Sequence, residues 1–289
     1  MKLERVLIVK QPQLPSFAQM LELLFKDADD QVRYRQFIEG LWHQLNQAEL
    51  PRVVGISGGQ GTGKSTLATL LAQFAKEQGV LAGTVSLDDY YLSQQQRSVL
   101  AETVHPLLAL RGMPGTHRIE QAILDIKDVL NGQPVKLPSF DKALDQPGAE
   151  RAPEHFSLLI VEGWCLGLGP QSAAQLREPV NQLESMADPE GHWRAFVNQQ
   201  LAQDYQHYWA LLETLIWLKA PDWQAICRWR ALQEQELWQQ RGIGMSETQL
   251  HYFMQTFQRL TEHSFAEMPT KADIIIELNN LHQPALLKK

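Results

Sequence analysis

Apolar residues recur along this chain in two rhythms. Between residues 17 and 49 they fall three and four apart, at Phe17, Met20, Leu21 and Leu24 and then at Tyr34, Phe37, Ile38, Leu41 and Leu45, which predicts two amphipathic helices. From residue 50 onward, short apolar runs alternate with longer stretches of helical spacing. The runs predict strands at 52–57, 80–87, 156–162, 213–218 and 272–278, and the stretches predict helices near 64–78, 118–131, 192–211, 222–240 and 246–263. Elements in this order fold as a mostly parallel sheet flanked by helices, an α/β architecture. Residues 1–50 read as an N-terminal helical extension serving as scaffold, and 51–289 as the main domain. Residues 92–118, 132–155 and 167–191 carry Pro, Gly and polar residues without a period. The first two are too long for simple connectors and predict segments folded over a pocket.

Composition narrows the classes. The 289 residues, 44% hydrophobic, suffice for one large core. A net charge of −7 and a pI near 5.7 argue against a broad nucleic-acid surface, so an anionic ligand must be held by a few placed cations. Cys165 and Cys227 lack metal-ligand spacing and read as reduced thiols of a cytoplasmic protein. Residues 1–5 do not open an apolar leader, and no stretch approaches 18 consecutive apolar residues, so neither a leader nor a membrane partner is expected.

The chemistry begins at Gly58-Gly59-Gln60-Gly61-Thr62-Gly63-Lys64-Ser65-Thr66, directly after the predicted strand Val53-Val54-Gly55-Ile56. Glycines at 58, 59, 61 and 63 let successive backbone N–H groups turn toward phosphate oxygens, and the helix opening at Lys64 adds its positive end. Lys64 is placed to reach the β and γ phosphates of a nucleoside triphosphate, and the Ser65 hydroxyl to complete the shell of a Mg²⁺ ion. A bare Gly-rich turn explains neither the Lys-Ser-Thr nor the following Leu67, Leu70, Leu71 and Phe74.

Two carboxylates stand at predicted strand ends near this loop. Asp88, in Leu87-Asp88-Asp89-Tyr90-Tyr91, fits a base for an acceptor hydroxyl or a metal-linked acid, whereas Asp89 fits better as a helix cap. Glu162 ends the run Ser157-Leu158-Leu159-Ile160-Val161, and a buried strand gives no reason to finish on a charge. It is expected to face Mg²⁺ or its waters. Trp217, Trp223, Trp229 and Trp238 read as packing residues.

The loop, the turn at 88–91 and Glu162-Gly163 resemble the P-loop kinases of small metabolites, the group of phosphoribulokinase, uridine kinase and pantothenate kinase. Four further segments are most similar to the plant and fungal type of D-glycerate 3-kinase and its kinase-like relatives. They are Arg111-Gly112-Met113-Pro114-Gly115-Thr116-His117, Ser139-Phe140-Asp141-Lys142 with Arg151 downstream, Glu162 to Gly167, and Trp229 to Glu234 followed by Gly244-Met245-Ser246. The resemblance spans about residues 50–280 and implies a P-loop NTPase fold with a C-terminal lid at about 222–263. It implies ATP and Mg²⁺ on Gly58, Gly59, Gln60, Gly61, Thr62, Gly63, Lys64, Ser65 and Thr66, with Ser65, Asp88 and Glu162 toward the metal. Lys64, Asp88, Glu162 and Arg230 would be catalytic, with Arg228 and Arg241 as competitors for the lid role. Tyr91, Arg111, Thr116, His117, Lys142 and Arg151 would bind a small acceptor. A hydroxy acid such as glycerate suits the cations among them.

The chain departs from that pattern at Arg118, where the branch is expected to carry an acid. Other classes also stay open: a nucleoside- or pantothenate-type kinase, a nucleotide-hydrolysing switch, and a binder without activity. No base-recognising pocket is marked in the sequence, and oligomeric state is not encoded in any of these motifs.

Overall fold

The computed structural model describes residues 15–47, 49–149, 151–242 and 244–287. The reading of residues 1–5 therefore lies outside the described residues, as does the side chain of Arg241. The chain opens with helices α1 (Phe17–Leu24) and α2 (Ala28–Leu45), capped by Ser16 and Asp27. Strand β1 (Val53–Gly58), helix α3 (Lys64–Glu77) and strand β2 (Ala82–Ser86) follow. Next come α4 (Gln94–Thr103), α5 (Ile119–Leu130) and the two-residue strands β3 (Phe140–Asp141) and β4 (Gln146–Pro147), which pair as a hairpin. Strand β5 (Leu158–Gly163) leads to α6 (Ala173–Leu176), α7 (Gln182–Ala187), α8 (His192–Ala202) and α9 (Asp204–Trp209). The chain continues through β6 (Thr214–Lys219), α10 (Trp223–Arg241), α11 (Glu247–Lys271), β7 (Ile274–Leu278) and β8 (Pro284–Leu287).

The six-stranded sheet runs β2-β5-β1-β6-β7-β8, parallel except for β8 at one edge. Every residue of β1 and β5 is buried, as expected of strands covered on both faces. The two-residue period then divides their side chains. Val53, Leu159 and Val161 join the core beneath α5, α8 and α9, whereas Val54, Ile56 and Ile160 join the core beneath α3, α10 and the N-terminal helices. Phe17, Leu21, Ile38 and Leu41 belong to that second core, so α1 and α2 are packed into the main body.

The α/β expectation holds, with differences in detail. The predicted helix at 192–211 breaks at Gln203, where the Gln206 carboxamide donates to the carbonyls of Leu201 and Leu168. Helix α11 runs beyond 263 to Lys271, carrying Pro269 in its last turn. Helix α4 lies in a stretch read as irregular because its one buried residue is Arg97, so no apolar stripe announces it. Among the described residues no helix is long and apolar enough to cross a membrane.

Candidate active site

Because β1 is flanked by β5 and β6, the C-terminal ends of three parallel strands open onto one crevice. Ile56 lies in register with Glu162, and Glu162 with Ser86. This register delivers the loop after β1, the acid at the end of β5 and the turn after β2 to the same place. The loop turns through Gly61, whose φ of +76° belongs to the left-handed region. A Cβ there would also come within 3.1 Å of Arg230 N and Trp229 Cβ, so helix α10 sits directly on the loop. Lys64 opens α3, and its Nζ donates to Gly59 O at 2.9 Å. Burial pulls the Lys64 ammonium below its usual range, with Glu162 and Asp88 opposing.

Ser65 Oγ donates to Glu162 Oε1 at 2.8 Å. Asp88 is engaged at both oxygens, accepting from Tyr91 OH at 2.7 Å and from Lys142 Nζ at 2.7 Å. Asp89 caps its own turn by accepting from Ser86 N, and it faces Arg151 at 3.7 Å. Lys64, Ser65, Asp88, Tyr91, Lys142 and Glu162 border a cavity of about 570 Å³, lined also by Gln60, Arg97, Arg111, Asp145, Trp164, Arg230, Phe253 and Phe257. Its lining carries five cations, Lys64, Arg97, Arg111, Lys142 and Arg230, against three carboxylates, Asp88, Asp145 and Glu162. An acidic chain has thus concentrated positive charge where an anion would sit.

The segment from Arg111 to His117 contributes one side chain to this lining and uses the rest as a mounting. Thr116 Oγ1 accepts from Gly112 N at 3.2 Å and donates to Met113 O at 2.7 Å, closing the turn. Gly115 has φ +95°, and a Cβ on it would meet Phe196 Cε1 at 2.7 Å. Tyr205 OH accepts from Gly115 N at 2.9 Å and lies 2.6 Å from His117 Nδ1, fixing the ring. Thr116 and His117 are buried behind the wall, and His117 stacks on Tyr91 with centroids 4.8 Å apart. Burial lowers the His117 pKa to about 4, with Asp88 opposing.

Arg151 also stays behind the cavity, donating to Thr84 O at 2.9 Å. Arg118 points to the Asp89 carbonyl at 3.4 Å and does not line the cavity, so the departure at this position adds no cation to it. Among the arginines expected on a lid, Arg230 lines the cavity and pairs with Glu234 at 2.6 Å, whereas Arg228 reaches Asn280 Oδ1 at 3.4 Å. Sequence reasoning did not find Arg97 and Asp145. Asp145 bridges Arg97 and Arg111, a relation between residues 34 to 48 positions apart that no local pattern displays. The apolar wall of Phe253 and Phe257 comes from α11, whose helical spacing had marked only packing.

A phosphate loop between a parallel strand and a helix, with a carboxylate at the neighbouring strand end and a separate cation-lined cavity, defines a P-loop kinase. No family model matches the chain. It is 31% identical over 221 residues to the uncharacterized kinase mug58 of Schizosaccharomyces pombe, covering 71% of this chain and 77% of that protein. It is 26% identical over 258 residues to the chloroplastic D-glycerate 3-kinase of Arabidopsis thaliana, covering 82% of this chain and 54% of that one. The structure of a D-glycerate 3-kinase from Cryptococcus neoformans superposes with a TM-score of 0.73 at 25% identity, over 88% of this chain and 98% of that one. The chain belongs to the P-loop small-metabolite kinases of the D-glycerate 3-kinase type and their kinase-like relatives, and it is an ATP-dependent kinase.

Proposed function

We propose that this kinase phosphorylates a hydroxyl of a small carboxylated metabolite, with D-glycerate giving 3-phosphoglycerate as the best-fitting reaction. The observation that carries this reading is the convergence of Arg111 and Lys142 on the cavity that holds Asp88, close to the phosphate loop. A carboxylate answers two such cations, and a hydroxyl on the same molecule would then face Asp88. The relatives named D-glycerate 3-kinase support the same acceptor.

The residues fit Mg²⁺ as well. Ser65 Oγ and Glu162 Oε1 form one hydroxyl–carboxylate pair, the sparse protein share of an ion that keeps waters and phosphate oxygens as its other ligands. When bound, the ion neutralises charge on the phosphates. Asp88 suits the proton better than the metal, because the Lys142 ammonium already stands against its Oδ2. The acceptor oxygen bonds to the γ-phosphorus as the bond to the β-phosphate oxygen breaks, and Asp88 takes the hydroxyl proton. Lys64 and Arg230 offset the spreading negative charge. Trp164, Phe253 and Phe257 exclude water and protect against idle hydrolysis. Cys165 and Cys227 are unpaired, consistent with a reducing compartment such as the cytoplasm.

The deciding experiment is ATP consumption by the purified protein with Mg²⁺ across D-glycerate, other hydroxy acids, nucleosides and pantothenate. Turnover confined to D-glycerate is expected. Preferential turnover of an uncharged nucleoside would remove the carboxylate role from Arg111 and Lys142.

A further inference from the structure

The charged groups of the cavity divide between its two ends. Lys64 bonds to Gly59, Glu162 accepts from Ser65, and Arg230 lies over Gly61, so these three stand with the phosphate loop. The rest of the lining carries Arg97, Arg111 and Lys142 against Asp88 and Asp145. Among the described residues the acceptor end therefore holds three cations and two carboxylates, one positive charge in excess at neutral pH. Lys142 and Asp88 answer one another. The excess belongs to Arg97 and Arg111, which share the one carboxylate of Asp145, with Arg97 on Oδ2 and Arg111 on Oδ1.

Asp145 is held in that position by its own turn. It is the last of the four residues, 142–145, that join β3 to β4. Asp141 Oδ1 folds this turn by accepting from Ala143 N at 2.9 Å and from Leu144 N at 3.0 Å. Asp145 has a φ of +53°, in the left-handed region, where glycine or asparagine would serve the backbone at least as well. The carboxylate is thus not what the turn requires. Arg97 requires part of it: the guanidinium is buried, donates from Nε to Ala109 O at 3.1 Å and from Nη1 to Leu92 O at 2.6 Å, and needs an anion at Nη2. A counter-ion for Arg97 alone could stay behind the wall. Asp145 instead lines the cavity, and its second oxygen takes Arg111 on the acceptor side.

We propose that Asp145 sets the charge of the acceptor, admitting molecules with one carboxylate and turning away those with two. One acceptor carboxylate balances the excess positive charge beside Arg111. A second would face Asp145 itself, in a cavity whose apolar wall strengthens the repulsion of like charges. The assignment rests on the carboxylated acceptor proposed above and adds the residue that limits it. Asp145 is a specificity residue and takes no part in the transfer of the phosphoryl group.

The test compares D-glycerate with tartronate, which carries a second carboxylate where glycerate has its primary alcohol, by calorimetry on the full chain loaded with MgADP. The unaltered chain should bind D-glycerate at least about tenfold more tightly than tartronate. This comparison needs no variant, and equal affinity for the two acids overturns the assignment. In Asp145→Asn the ratio of the two affinities should shift at least about tenfold toward tartronate. Combining Asp145→Asn with Arg97→Gln removes one positive charge as well, and the preference for D-glycerate should return. An equal weakening of both acids in Asp145→Asn would mark a merely structural role and overturn the assignment, as would an unchanged ratio. A chain that binds both acids equally keeps the carboxylated acceptor and loses this role for Asp145; a chain that binds neither loses both.

Discussion

Lys142 Nζ stands 2.7 Å from Asp88 Oδ2, while Tyr91 donates to the other oxygen at the same distance. This carboxylate of the cavity lining is therefore held by two side chains before any acceptor arrives. Burial raises the Asp88 pKa, but the charge and hydrogen bond of Lys142 and the hydrogen bond from Tyr91 outweigh it, so Asp88 titrates below its ordinary value. Burial works against the Lys142 ammonium, yet Asp88 holds its pKa above the usual range. A carboxylated acceptor that draws Lys142 to itself would release Oδ2 and make Asp88 more basic as the hydroxyl approaches. Binding and base activation would then be one event.

This exchange predicts the behaviour of Lys142→Met. Loss of the ammonium removes the charge and hydrogen bond that depress Asp88, so the acid limb of the kcat/KM profile should move to higher pH. The acceptor KM should rise about tenfold or more with the ATP KM nearly unchanged. A pH–rate series on both proteins reads this directly, and an unmoved acid limb would separate Lys142 from Asp88.

Lys64→Ala should lower kcat by about a thousandfold, since in the proposed reaction the ammonium acts where charge spreads in the transition state. The fold should not suffer. Burial already pulls Lys64 below its usual pKa, so the native state gains little from holding the charge there. Thermal unfolding at neutral pH should give a Tm equal to or above that of the unaltered chain, and a substantial fall would give Lys64 a structural role.

The physical origin of each signal explains what the sequence displayed. Strands β1 and β5 were visible because burial on both faces demands unbroken apolar runs, and the phosphate loop because backbone geometry demands glycine. Glu162 stood out as a charge at the end of such a run. Helix α4 was hidden because Arg97 is its buried residue, and the Asp145 bridge because its partners come from distant segments. The segment from Arg111 to His117 was legible as a unit but not in its division of labour. Only the turn geometry separates Arg111, which lines the cavity, from Thr116 and His117, which hold the turn.

His117 makes acid stability a test of that mounting. With its pKa lowered from 6.5 to about 4 by burial, the ring is neutral in the folded chain, while the unfolded chain takes up a proton between those values. More protons on the unfolded state mean that stability falls as pH drops from about 6.5 toward 4, by about 3 kcal/mol in all. Below pH 4 both states are protonated and the contribution levels off. His117→Gln should lower stability at pH 7 but flatten its decline through this window, as read by denaturant unfolding at a series of pH values. An unchanged slope would mean that His117 does not titrate in this way.

Arg111 carries the most specific consequence of the proposed acceptor. Its guanidinium pairs with Asp145 and lies over the Phe140 ring, with Cζ 5.7 Å from the centroid, so it is aimed by an anion and an aromatic face from one hairpin segment. Such a planar, oriented donor suits a carboxylate at two points, which a lysine cannot copy. Arg111→Ala should therefore raise the acceptor KM roughly a hundredfold, and Arg111→Lys should recover only part of that loss. The ATP KM should stay near its original value in both variants, because the phosphate loop is built without Arg111. Steady-state kinetics with each substrate varied in turn decides the matter. A defect confined to ATP would move Arg111 to the phosphate side of the cavity, and full recovery by lysine would reduce its part to charge alone.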